Sequence, residues 1–187
     1  MHAGIIDPTP THPTLTLTTR RMSRLQPRLL WLVLALAAAG LVAGSLILTA
    51  WLDLHPCHLC IFQRLLLMVI ALLGLAAFIL GGGWQRLAGG LTLALCGLGV
   101  GVAGYQTWLQ TQPPGSIACT GGEPGLIERL VEGLGQRVPD LFLATGFCDE
   151  KELSILGLSL ANWALIAFIV FFGIALRALF MRPHRHD

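Results

Sequence analysis

Residues 29–80 read LLWLVLALAAAGLVAGSLILTAWLDLHPCHLCIFQRLLLMVIALLGLAAFIL. Two apolar runs, Leu29 to Leu52 and Ile61 to Leu80, flank a short interruption at Asp53 to Cys60 that holds Cys57 and Cys60, two residues apart. At a rise of about 1.5 Å per residue, roughly 20 residues cover the ~30 Å hydrocarbon core of a bilayer. Each run is long enough to cross, and in lipid its backbone must be helical because no water is present to satisfy its amides. The interruption is therefore an outer or inner turn, and a redox-type dithiol sits at a membrane surface.

Further along the chain, Leu87 to Leu109 and Leu160 to Phe180 are apolar runs of the same kind. The 187 residues are 55% hydrophobic and only 12% charged, with a mean hydropathy of +0.73, which excludes an ordinary soluble domain. The expected fold is an all-α membrane protein, a four-helix transmembrane bundle over residues 29–182. The first run follows a basic stretch, yet it exceeds the roughly 7–15 residues of a signal-peptide core and reads as a retained span. Residues 1–28 begin with a Thr- and Pro-rich segment with little to bury and are expected to form a disordered basic tail. Residues 183–187 form a short closing tail.

Arginines set the orientation. Arg20, Arg21, Arg24 and Arg28 precede the first span, Arg86 sits in the turn after the second, and Arg177, Arg182 and Arg185 close the chain. These segments are expected in the cytoplasm, with both termini inside. The connectors 53–60 and 110–159 then face outward. The long one carries seven acids against three bases, a net charge of −4, which suits a segment with no positive-inside role.

Four of the five cysteines, Cys57, Cys60, Cys119 and Cys148, fall in that outer compartment; in a bacterium it would be the periplasm, where disulfides persist. Cys96, in the middle of the third span, reads as a small buried apolar residue. A zinc site would want a second closely spaced pair, whereas Cys119 and Cys148 are far apart, and His55 and His58 do not complete a finger spacing. A c-type haem would need His directly after Cys60, where Ile61 stands. Redox exchange and a structural disulfide remain.

The surroundings of the pair favour reactivity. Pro56 places Cys57 to Cys60 in the first helical turn, where the dipole and unpaired amides favour a thiolate. Arg64 follows Cys60 by four residues on the same helix face, as a charge partner for the sulfur or as a snorkelling anchor. In the long connector, Ile127, Leu130, Val131 and Leu134 recur at helical spacing opposite Glu128, Arg129 and Glu132, predicting a short amphipathic helix on the outer surface or over the bundle. Glycines 97, 99, 101 and 104 in the third span predict close helix packing.

The run Pro56-Cys57-His58-Leu59-Cys60-Ile61-Phe62-Gln63-Arg64, the four spans, and the outer segment Arg137-Val-Pro-Asp-Leu-Phe-Leu-Ala-Thr-Gly-Phe-Cys148 followed by Leu156-Gly157-Leu158 resemble the DsbB family of bacterial inner membranes. The resemblance covers nearly everything except the N-terminal tail. It implies a thiol:quinone oxidoreductase that reoxidises a periplasmic, thioredoxin-fold, DsbA-like disulfide donor and passes electrons to the membrane quinone pool, ubiquinone or menaquinone. Carried onto this chain, Cys119 takes the partner's thiolate, Cys148 leaves and reaches toward Cys57, Cys60 delivers two electrons to quinone, and Arg64 lies beside the quinone. Some members carry His near the quinone at about the place of Gln106. No metal and no nucleic-acid partner are implied. The alternative is a membrane scaffold whose outer disulfides only brace its loops.

Overall fold

The computed structural model describes residues 13–113, 125–149 and 153–180, with side chains from residue 28 onward. Four long helices carry the fold: α1 (Pro13–Leu52), α2 (His58–Leu80), α3 (Gly83–Leu109) and, after the outer elements, a last helix, Leu160–Phe180. Between α3 and that helix lie α4 (Leu126–Gly135), the single turn α5 (Pro139–Phe142), and two-residue strands β1 (Ser154–Ile155) and β2 (Leu158–Ser159); the closing helix is α6. Residues 28–52 of α1, and all of α2, α3 and α6, are long and apolar enough to cross a membrane. The protein is an all-α membrane protein built on four such helices.

The boundaries differ from the expected ones at two places. The backbone of α1 is helical from Pro13, inside the stretch expected to lack structure, and proline at a first helical position costs no hydrogen bond. Helix α2 starts at His58, with Cys57 as its cap and Cys60 in its first turn, as expected from Pro56. The turn between α2 and α3 shrinks to Gly81 and Gly82, both with positive φ, so α3 begins at Gly83 and takes Trp84 to Arg86 into its first turn.

The helices form a closed ring in the order α1, α2, α3, α6. Inside it, Trp31, Leu34, Ile70, Ala77, Cys96, Ala103 and Phe168 are almost completely buried, while Leu36, Leu72, Ile79 and Ile169 point outward, as a lipid-facing surface requires. Cys96 is a core residue, as expected. The close approach of α3 to α6 uses Gly99, where a β-carbon would overlap the Phe168 ring, and Gly89, which faces Leu179. Gly97, Gly101 and Gly104 have open space beside them, so the expected seam lies along a different face of α3.

Helices α4 and α5 and the short strands cover one end of the bundle. Helix α4 buries Val131 against Ile61 and Phe142, so α4 and α5 lie on the N-terminal end of α2. Its start is held by Glu128, whose Oε2 accepts from the Gly125 amide at 2.8 Å. The strands β1 and β2 form a hairpin around Leu156 and Gly157, both with positive φ as a two-residue turn demands. The Trp163 indole donates to the Ile155 carbonyl at 3.1 Å and fastens this hairpin to the top of α6.

Candidate functional site

Cysteine chemistry at the end of α2 begins with a cap. Pro56 cannot continue a helix backward, so the chain enters α2 through an extended Cys57 whose sulfur takes the place of the usual capping oxygen, accepting from the Cys60 amide at 3.4 Å. The same turn sets the two side chains together: Cys57 Sγ donates to Cys60 Sγ across 3.2 Å, a thiol contact rather than a bond. Cys57 is buried, and Cys60 is partly open.

A third sulfur comes from the long connector. The amides of Thr145 and Gly146 both donate to the Pro56 carbonyl, at 3.0 and 3.3 Å, and lay residues 143–148 along the 55–57 turn. Gly146 is obligatory there because a β-carbon would collide with the His55 carbonyl. This seam places Cys148 in a small buried cluster with Cys57 and Leu109. The Cys57 thiol is held well above the ordinary thiol range, first by its hydrogen bond with Cys148, then by the one with Cys60 and by burial. Cys57 thus keeps its proton, with a sulfur on either side of it.

Arg64 stands one turn further along α2 and is 7% exposed. It does not snorkel outward: one terminal nitrogen donates to the Leu141 carbonyl at 3.2 Å and the other to Thr49 Oγ1 at 3.1 Å, tying α2 to α1 and to α5. Its Nε is buried with no partner among the described residues. Cys60, Gln63, Arg64 and Gln106 line a cavity of about 540 Å³, to which Gly40, Leu41 and Gly44 of α1 and Ala164 and Ala167 of α6 supply apolar walls.

Of the predicted site residues, the structure thus gathers Cys57, Cys60, Arg64 and Cys148 at one end of the bundle; Cys119 lies outside the described residues. Two further groups join them. Gln106 Nε2 donates to Cys60 Sγ at 3.0 Å and to Cys57 Sγ at 3.4 Å, and Gln63 Nε2 donates to Gln106 Oε1 at 2.8 Å. Both amides lie within apolar spans, where an unpaired polar group is costly, and that depth is the sequence signal that marks them. A smaller pocket of about 180 Å³ sits between α4, α5 and His58, whose ring faces Glu132 at 3.9 Å.

Known proteins align with this arrangement over most of its length. Residues 27–178 match the family described as disulfide bond formation protein DsbB. Disulfide bond formation protein B of Dechloromonas aromatica (strain RCB) is 45% identical over 168 residues, covering 87% of this chain and 98% of that protein. The proteins of the same name in Verminephrobacter eiseniae (strain EF01-2) and Paracidovorax citrulli (strain AAC00-1) are 36% and 33% identical, covering 85% and 84% of this chain and 89% of each of theirs. With four membrane-spanning helices and a sulfur cluster at one end, the chain belongs to the DsbB family and has a disulfide-forming redox role.

Proposed function

We propose that the chain is an inner-membrane thiol:quinone oxidoreductase that reoxidises a periplasmic DsbA-like dithiol protein, with Cys57, Cys60, Cys119 and Cys148 as the exchanging thiols and both termini in the cytoplasm. The single observation that carries the quinone half is the cavity beside Cys60, lined by apolar residues of α1 and α6 and by Gln63, Arg64 and Gln106, with Arg64 Nε buried and without a partner among the described residues. A lipid-soluble ring with carbonyl oxygens fits that donor set, with Arg64 as the residue that would hold it. Bound there, the quinone supplies the two-electron acceptor chemistry.

The chain's own residues move the disulfide. A thiolate of the partner attacks Cys119 in the Cys119–Cys148 disulfide, forming a mixed disulfide and releasing Cys148. Cys148, which lies against Cys57, attacks Cys57 in the Cys57–Cys60 disulfide and releases Cys60. The partner's second thiol then displaces Cys119 and leaves as the oxidised product. Cys119 next attacks Cys148, which restores the Cys119–Cys148 disulfide and releases Cys57. The Cys57–Cys60 dithiol loses two electrons and two protons as its Sγ–Sγ bond re-forms, and a quinone held beside Arg64 would supply the acceptor for both. Convergence of three sulfurs on one turn suits this relay better than separate braces on two loops.

The decisive experiment measures quinone reduction by the purified full-length protein with a reduced thioredoxin-fold donor. Wild type turns over both. Cys119→Ala loses donor oxidation while its Cys57–Cys60 pair still reacts with quinone. Normal donor turnover by Cys119→Ala, or quinone left oxidised by the reduced wild type, overturns the reading.

A further inference from the structure

Two glutamines facing each other across α2 and α3, 4% and 2% exposed, have no role in the relay described above. We infer that Gln106 is a catalytic hydrogen-bond donor to the Cys57–Cys60 pair and that Gln63 is the positioning residue that fixes which end of the Gln106 amide faces the sulfurs. The inference rests on the proposed thiol exchange at Cys57 and Cys60, and it adds the group that sets how readily that pair accepts electrons.

An amide side chain can turn either its oxygen or its nitrogen toward a neighbour, and the two choices act with opposite sign on a sulfur that carries charge. Here Gln63 Nε2 occupies the Gln106 oxygen at 2.8 Å, which leaves the Gln106 NH2 group to face Cys60 at 3.0 Å and Cys57 at 3.4 Å. Had the amide turned over, two NH2 groups would face each other and an oxygen would face the sulfurs. The Gln63 contact therefore opposes turning of the Gln106 amide by itself.

A donor aimed at sulfur stabilises the reduced pair, in which negative charge can rest on sulfur, more than the neutral disulfide. The consequence is a pair more readily reduced by incoming thiols. In exchange with Cys148, the bond from Cys148 to Cys57 forms as the Cys57–Cys60 bond breaks, and the electron pair of the broken bond goes to Cys60, where Gln106 Nε2 already points. No proton has to arrive from water at Cys60.

The test uses the full-length protein with Cys119→Ser and Cys148→Ser, so that only the Cys57–Cys60 pair equilibrates with glutathione buffers, read by alkylation in the absence of quinone. Gln106→Leu should shift the equilibrium toward disulfide by about tenfold, about 30 mV for a two-electron couple. Gln63→Leu, which frees the amide to rotate, should give a smaller shift of the same sign. In the double Leu variant, Gln63→Leu should add nothing to Gln106→Leu, because Gln63 acts only through Gln106. Gln106→His should stay close to wild type: Gln63 would donate to Nδ1 and leave the Nε2 proton facing the sulfurs.

An unchanged potential in Gln106→Leu, or additive shifts in the double variant, overturns the inference. Should Gln106→Leu not accumulate in the membrane, the double Leu variant, which leaves neither amide buried alone, carries the same measurement. Failure of the quinone reading shows separately, as a wild-type protein with an intact pair potential that reduces no quinone.

Discussion

Replacing Arg64 by Met separates an electrostatic role in quinone binding from a purely architectural one. The guanidinium uses its terminal nitrogens on Leu141 O and Thr49 Oγ1 and keeps Nε buried without a partner among the described residues. Thr49 is not stranded by the loss, because its hydroxyl already donates to the Ser45 carbonyl at 2.7 Å. The structural cost therefore falls mainly on the Leu141 carbonyl, about 1 kcal/mol for one hydrogen bond, which the bundle should survive. If one charge-assisted hydrogen bond from Arg64 holds a quinone oxygen, its removal costs about 1.5–3 kcal/mol, roughly a 10- to 150-fold rise in the apparent Michaelis constant for quinone. Arg64→Lys keeps the charge but loses the fork geometry and should fall between Met and wild type. The assay is steady-state reduction of a soluble quinone analogue by purified protein, with correct insertion checked by protease protection. A wild-type Michaelis constant in inserted Arg64→Met protein would leave Arg64 as a tie between α1, α2 and α5 and remove the physical case for a quinone beside Cys60.

Four other outcomes are expected. Gly146→Ala should push residues 143–148 away from the His55 carbonyl and displace Cys148 from Cys57; since a 1 Å misplacement can cost about 100-fold, donor-to-quinone turnover should fall by that order while the reduced Cys57–Cys60 pair still reacts with quinone, and unimpaired turnover would show that the seam does not align the sulfurs. The raised pKa of Cys57 predicts that its thiol resists alkylation near pH 9.0, where an ordinary thiol is half ionised, and that Cys148→Ala moves its titration downward; an unmoved alkylation profile would exclude Cys148 as the principal cause. By linkage, a thiol whose folded pKa is raised contributes stability below pH 9.0 that is lost as pH rises beyond it, so the reduced wild type should melt at progressively lower temperature above that pH, and Cys148→Ala should show a weaker decline. Single cysteines placed at Gly83 and Gln136 in a background lacking the native ones should label oppositely with a membrane-impermeant reagent on spheroplasts, only the second reacting; labelling at Gly83 alone would invert the proposed topology.

The four spans, the dithiol at the start of the second, and the burial of Cys96 were legible in the sequence, because crossing a bilayer imposes a length and an apolar composition that few other folds require. The placement of Cys60 and Arg64 on one helix face followed from spacing alone. Tertiary structure decided what those residues meet. Arg64 reads from sequence as a charge partner or an anchor, and only packing joined it to Thr49 and Leu141, 15 and 77 positions away. Gln63 and Gln106 are 43 positions apart, and Gln106 and Cys60 are 46, so no local period connects them. Nor did the row of glycines in the third span reveal that Gly99, rather than the Gly97–Gly101 step, meets Phe168. Local spacing determines which side chains share a helix face, whereas the contact between faces depends on how helices rotate against one another, and that rotation is set by the whole bundle at once.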